Sequence, residues 1–378
     1  MTTGGPLAEV DVAVAHWHVR SWGGAEYLVT RLAEALGADT VHTLGAPDPD
    51  EPNPYGDVAF RDVTPTLSYP WGRRLQRRAG RVFEYAQWED LDLRDLGDPD
   101  VLVTSGATTR AVITPDDTLH CNYCHSPPRW YYDLYHDRKN SIAGTLARPL
   151  VRYLRTRDMT VDPRVDHYFA NSPVIERRLW KYYKRESEVL YPPVDLSSYR
   201  NDGDDGYYLH LGRLDGEKGV VEVLDAFTDT DYRLVLAGGE GDAAGTACER
   251  IDRAHNVDYR GFVDEREKYD LLANCRAVVF NGRNEDFGIV PIEANASGKP
   301  VLARAEGFPA VFVDDGENGL THDGTADGIR DAVERFERDG VDDDDPTARA
   351  EPFGLDSFAD QLTESIADRY RELMAYVE

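Results

Sequence analysis

The chain has 378 residues, 41% of them hydrophobic, with 70 acidic against 42 basic side chains and a formal net charge of -28. One hydrophobic core rarely serves that length, so two domains are expected, and the ordinary apolar fraction argues against a disordered chain. The acidic balance argues against generic nucleic-acid binding, which needs a basic face to meet phosphates.

Taken in chain order, apolar runs alternate with helix-length amphipathic segments. Val10–His16 reads as a buried strand, followed by a Gly turn, Trp22-Gly23-Gly24-Ala25-Glu26, at the head of a helix over Ala25–Leu36. A helix over Arg73–Trp88 carries a stripe of Arg73, Arg74, Arg77, Arg78 and Arg81. Strands are expected at Val101–Thr104, Thr118–Tyr123 and Asp166–Ala170, with helices at Ile142–Arg157, where Arg148, Arg152 and Arg155 recur, and Val174–Lys184. Tyr191-Pro192-Pro193-Val194-Asp195 interrupts regular structure and marks a linker. A second series follows: strands Tyr207–Leu211, Arg233–Ala237, Val257–Tyr259, Ala277–Phe280 and Pro300–Ala303, and helices Val220–Phe227, Arg266–Ala273 and Ile289–Ala296. An acidic helix and loop are expected over Thr325–Pro346, and a final helix over Ser357–Tyr376. Such alternation predicts α/β domains, each a parallel sheet covered by helices, with ligands at the carboxyl ends of the strands.

Three segments carry chemistry, and each follows a strand. Asn284-Glu285-Asp286-Phe287-Gly288-Ile289 runs into a helix that bears Glu293. Gly288 permits close backbone approach, the amides of Phe287, Gly288 and Ile289 suit a phosphate, and the two carboxylates can accept from sugar or ribose hydroxyls. His210-Leu211-Gly212-Arg213-Leu214-Asp215-Gly216-Glu217-Lys218-Gly219 places two cations around a Gly turn, in a chain with only six Lys. Arg213 by its fork and Lys218 as a point charge suit a diphosphate. Gly23 and Gly24 form the third segment, a Gly turn at a helix N-terminus.

In this order and spacing the three segments resemble glycosyltransferase family four, whose members have the GT-B fold of two Rossmann-like domains facing a cleft. The stretch Tyr123-Cys124-His125-Ser126-Pro127-Pro128-Arg129-Trp130-Tyr131-Tyr132-Asp133 further resembles the mannosyltransferase-like branch. The resemblance implies an acceptor-side domain over 1–192, completed by a C-terminal helix over 357–378 that crosses back to it, and a nucleotide-sugar domain over 193–356. It implies that Arg213 and Lys218 bind the donor diphosphate beside Gly212, that Glu293 binds the ribose, and that Glu285 with Phe287, Gly288 and Ile289 holds the donor sugar. His125 would approach the sugar from the first domain, with Gly23 and Gly24 near the phosphates, and Glu26, Arg129, Trp130 and Tyr131 toward the acceptor. The family commonly has a Gly-Gly-x-x-Glu-like element after the next strand, where this chain reads Gly307-Phe308-Pro309-Ala310-Val311, without the Glu. The following Asp315-Gly316-Glu317-Asn318-Gly319 fits the family pattern.

The implied reaction is a retaining transfer of a hexose from a GDP- or UDP-linked donor to a glycan or a lipid-linked acceptor. The leaving diphosphate would assist deprotonation of the acceptor, and no residue serves as nucleophile. An epimerase or phosphorylase on the same fold and a non-catalytic binding subunit are the alternatives. The nucleotide sugar is a co-substrate, and no obligatory cofactor or metal is expected. Cys121-Asn122-Tyr123-Cys124-His125 matches a haem-attachment spacing, but that chemistry belongs outside the cytoplasm. The first residues hold no basic segment followed by an apolar run, so a cytoplasmic protein is expected. The arginine stripe through Arg73, Arg77 and Arg78 would allow peripheral contact with an anionic membrane face. An acidic, Lys-poor surface fits a salty cytoplasm of the halophilic archaeal kind, because molar salt shortens the Debye length to roughly 3 Å and screens self-repulsion.

Overall fold

A computed structural model describes residues 6–19, 22–45, 47, 52–65, 83–138, 142–343 and 345–377. The chain divides into two units, Met1–Pro193 with Phe358–Glu378, and Val194–Ser357.

In the first unit β1 (Val12–His16) leads into α1 (Gly24–Ala35), β2 (Thr40–Thr43) and β3 (Ala59–Asp62). A helix α2 over 83–89 follows, then β4 (Val101–Ser105), β5 (Leu119–Cys124), α3 (Tyr135–Arg138), α4 (Ile142–Val161), β6 (His167–Ala170), α5 (Pro173–Tyr183) and β7 (Glu188–Val189). The second unit holds β8 (Tyr207–Leu211), α6 (Val220–Phe227), β9 (Arg233–Ala237), α7 (Ala244–Ile251), β10 (Val257–Tyr259), α8 (Glu265–Asn274), β11 (Ala277–Phe280), α9 (Ile289–Ala296), β12 (Val301–Arg304), α10 (Pro309–Phe312), β13 (Gly319–His322) and α11 (Ala326–Asp339). The last helix, α12 (Leu355–Val377), begins in the second unit and ends in the first.

Both sheets are parallel and share one topology. The first runs β3-β2-β1-β4-β5-β6-β7 and the second β10-β9-β8-β11-β12-β13. In each, the strand order reverses beside the first strand, between β1 and β4 and between β8 and β11. That reversal is the switch point where open α/β sheets bind ligands.

The amphipathic pattern of each helix decides which face is covered. Leu28, Val29, Leu32 and Ala33 of α1 pack on Val14, Val41 and Val103. Phe358, Leu362 and Ile366 of α12 join the same core at a spacing of four, which is why this helix belongs to the first unit. Each such buried side chain contributes about 1.5–3 kcal/mol. On the other face Ala13, Ala15 and Leu102 meet Tyr85, Trp88 and Leu154.

Helix α4 runs beyond its expected end to Val161 because its last turns carry a satisfied buried charge. Asp158, fully buried, accepts from Tyr85 Oη at 2.9 Å, from Tyr132 Oη and Tyr183 Oη at 2.6 Å each, and from Arg110 Nη2. A buried carboxylate is tolerated only when its lone pairs are filled in this way. No described helix is long and apolar enough to cross a membrane.

Candidate functional site

In the second unit the loops after β8 and β11 meet at the switch point. Lys218, on the first loop, donates from Nζ to Glu285 Oε1, on the second, at 2.5 Å. Both side chains keep some exposure, 29% and 20%, so the pair is open to a ligand. Asp215, buried in the same loop, accepts from the Lys218 amide at 2.9 Å and pairs with Arg213 Nη2 at 3.0 Å. The Arg213 side chain is 67% exposed and projects to solvent. Gly219 stands at φ 63, and a side chain there would run into Asn281, whose amide donates to the Gly219 carbonyl at 3.1 Å.

The Glu285 loop is built on glycine. Gly307 has φ 71 and lies so close to the Glu285 backbone that a Cβ would collide with the Glu285 carbonyl oxygen. The Phe308 amide donates to that same carbonyl at 3.0 Å. The segment that departs from the family pattern therefore carries the Glu285 loop through backbone contacts. Gly288 caps α9 at φ 72, with Ile289 the first helical residue. Pro291 lacks an amide, so fewer free N–H groups open this helix than an ordinary N-terminus offers. Phe287, 8% exposed, stacks on Phe308 at 5.2 Å, which fixes the loop from below. Glu293, one turn into α9, is 4% exposed, and its Oε1 accepts from Tyr199 Oη at 2.8 Å and Lys268 Nζ at 2.9 Å. Next to Gly212, His210 donates from Nδ1 to the Val279 carbonyl at 2.9 Å. Burial drives its pKa down to about 4, helped by Lys218.

The first unit places different chemistry at its equivalent point. His16 ends β1, Ser105 ends β4, and the two residues are paired in register. His16 Nδ1 lies 3.0 Å from Ser105 Oγ, and His125 Nε2, just beyond β5, lies 2.8 Å from the same oxygen. His16 and Ser105 are fully buried. Burial pushes the pKa of His125 down to about 3, and that of His16 also falls, against the pull of Glu26. Trp17 stacks on His125 with ring centroids 6.2 Å apart, and Asn171 Nδ2 donates to the His125 carbonyl at 2.9 Å. Gly23 caps α1 in extended geometry, so Gly24 opens the helix and the Gly23 carbonyl accepts from the Tyr27 amide at 2.9 Å.

The residues expected toward an acceptor differ in their surroundings. Glu26, expected toward an acceptor, is 9% exposed and turns to His16, with Oε1 3.7 Å from Nε2. Tyr131, also expected there, is a core residue at 5% exposure whose carbonyl accepts from Arg155. Trp130 packs against the same core, and Arg129 pairs with Asp133 at 3.1 Å. Arg73, Arg77 and Arg78 lie outside the described residues. Cys121 and Cys124 are buried in β5, unsuited to a covalent cofactor at the surface. His16 and Ser105 escaped the sequence reading; their one signal was a polar residue closing an apolar strand run.

Comparison with known proteins agrees with this fold. The model of the group 1 glycosyl transferases matches residues 195–351, and that of Glycosyltransferase Family 4 matches residues 22–198. A D-rhamnosyltransferase, WbpZ of Pseudomonas aeruginosa, is 30% identical over 329 residues, covering 79% of this chain and 78% of its own. An uncharacterized glycosyltransferase of Methanocaldococcus jannaschii, MJ1178, is 29% identical over 188 residues, which is 48% of this chain and 49% of that relative's length. Among solved structures, Anabaena HepE in complex with UDP and glucose superposes with a TM-score of 0.71 at 16% identity, covering 95% of this chain and 100% of its own.

Proposed function

We propose, from the premise that this chain belongs to the group 1 and family 4 glycosyltransferases, that it moves a hexose from a nucleotide sugar to a glycan or lipid-linked acceptor with retention of anomeric configuration. The observation that carries this reading is the meeting of Lys218 and Glu285 at 2.5 Å across the switch point of the second domain. A diphosphate arriving there finds Lys218 and the exposed Arg213 as cations, and Glu285 is released to accept from sugar hydroxyls. Glu293 has Oε1 occupied, so a ribose hydroxyl is received by Oε2.

As the glycosidic bond breaks, charge develops on the departing diphosphate. Lys218 and Arg213 are the groups placed to stabilise it, and the departing oxygen takes the acceptor proton. His125 of the first domain, neutral through burial, offers a ligand no full charge. The donor nucleoside is uridine or guanosine in this reading, and the UDP and glucose of the HepE complex favour testing UDP-glucose first.

The test is acceptor-dependent release of nucleoside diphosphate, with the product's anomeric coupling compared with that of the donor. Transfer with the donor's anomeric form supports the reading. Epimerised sugar or phosphorolysis overturns it.

A peripheral membrane contact is favoured by α4, where Leu146, Leu150 and Tyr153 share one face at 78%, 40% and 52% exposure. Flotation with anionic liposomes tests it: equal recovery of wild type and Leu146→Glu/Tyr153→Glu removes the membrane from the account.

A further inference from the structure

The buried chain His16, Ser105 and His125 has a direction, and one carboxylate sets it. Ser105 Oγ has a single proton to give and lies within hydrogen-bond reach of two histidine nitrogens, His16 Nδ1 at 3.0 Å and His125 Nε2 at 2.8 Å. Three arrangements satisfy both contacts when the rings are neutral, because the hydroxyl oxygen can also accept twice. In the first, His16 Nδ1–H donates to Ser105 and Ser105 donates to His125 Nε2. In the second, Ser105 donates to His16 Nδ1 and His125 Nε2–H donates to Ser105; in the third, both rings donate to Ser105 Oγ.

The first and the third leave a lone pair on His16 Nε2 facing Glu26 Oε1, two acceptors 3.7 Å apart around a fully buried ring. The second turns an N–H toward that carboxylate. The distance is longer than a hydrogen bond, yet in a dry site the carboxylate field falls little over it and favours the N–H. The lowered pKa values of both rings keep them neutral at neutral pH, so none of the three is bypassed by a doubly protonated imidazolium.

We propose that Glu26, acting through His16 and Ser105, fixes His125 as the Nε2–H tautomer, so that its Nδ1 presents a lone pair that accepts a hydrogen bond from a sugar hydroxyl. Among the described residues no group donates to that nitrogen. A hydroxyl can donate to it, whereas a phosphate oxygen, an acceptor only, is repelled. His125 is thereby a selective contact for a hydroxyl-bearing sugar, and Glu26, His16 and Ser105 are its positioning residues. The identity of the hydroxyl rests on the transfer reading given above; the tautomer does not.

The test is ring 15N NMR of the full-length protein labelled at histidine, at neutral pH, with His125 assigned by its loss in His125→Gln. The expected result is a pyrrole-type Nε2 and a pyridine-type Nδ1 at His125. Glu26→Gln, which offers either an acceptor or a donor to His16, should mix the two tautomers and move both His125 resonances toward each other. Ser105→Ala should do the same, and Ser105→Thr should restore the wild-type pattern. In turnover, kcat of Glu26→Gln should fall roughly tenfold, the scale of one misdirected hydrogen bond. A pyrrole-type Nδ1 in the wild type, or a His125 ring unchanged by Glu26→Gln, overturns the proposal. If no donor is ever turned over, the transfer reading fails, and the NMR result still decides the tautomer.

Discussion

The two domains have the same strand order and the same switch point, and they fill it with opposite chemistry. In the second domain the crevice is charged: Lys218 meets Glu285 at 2.5 Å, Arg213 meets Asp215 at 3.0 Å, and Glu293 meets Lys268 at 2.9 Å. In the first it is nearly neutral: His16, Ser105 and His125 form a hydrogen-bonded row under Trp17, with Glu26 at its far end. One topology therefore dictates where a ligand sits and leaves to the loop residues what it is. A charged crevice suits a diphosphate, and a neutral row of oriented dipoles suits hydroxyls.

The largest expected effect falls on the charged side. Lys218→Ala should lower kcat about 10²–10³-fold, the usual scale for removing one transition-state donor. Its stability cost should be small, since its partly exposed pair is solvent-screened. An activity loss matched by collapse of the melting temperature would make Lys218 a structural residue and blur the contrast. Next is Gly307→Val, which forces a β-branched side chain to φ 71 against the Glu285 backbone. The expected cost is about 3 kcal/mol, read by denaturant unfolding together with loss of donor binding. Unchanged unfolding would show that the Glu285 loop is not held there.

Much of this fold could be read from the chain. Tyr207–Leu211, Val220–Phe227, Arg233–Ala237, Val257–Tyr259, Ala277–Phe280 and Ile289–Ala296 form over the expected residues, because each is an apolar run between Gly, Pro or polar breaks. Strands β2, β3, β7 and β13 were not expected. Thr40–Thr43 and Ala59–Asp62 are short and partly polar, and Glu188–Val189 is a two-residue edge. Gly319–His322 opens with a glycine that needs its bareness, since a Cβ would strike the Val301 carbonyl. At the site, Lys218 and Glu285 were each visible as a residue after a strand. Their contact was not, because it spans 67 positions and depends on two loops converging. The row His16, Ser105 and His125 depends on the pairing of β1 with β4, and no local pattern announces that register.

A medium-sized effect separates the domains by pH. Burial lowers the pKa of His16, His42, His120 and His125 in the first domain and of His210 and His322 in the second. Each then stays neutral in the folded state while its unfolded counterpart protonates near 6.5. The stability they contribute is present above 6.5 and is lost as pH falls toward about 4, the folded value for His120, His210 and His322. Calorimetry from pH 7 downward should show melting falling across that window, more steeply for the first domain; a flat profile would deny the buried neutral rings. The smallest effect is Arg213→Ala. Its 67% exposed side chain should cost under about 0.5 kcal/mol of stability while weakening the binding of nucleoside diphosphates.

The central claim, a nucleotide-sugar site in the charged crevice, is tested most directly by thermal shift against UDP-, GDP- and ADP-sugars in about 1 M KCl, where the self-repulsion of a -28 chain is screened. A ligand at 100 times its dissociation constant should add about 2.7 kcal/mol. The account predicts one responding nucleotide series, abolished by Lys218→Ala and retained by Glu26→Gln. No response in any series, or an equal response in Lys218→Ala, would contradict it.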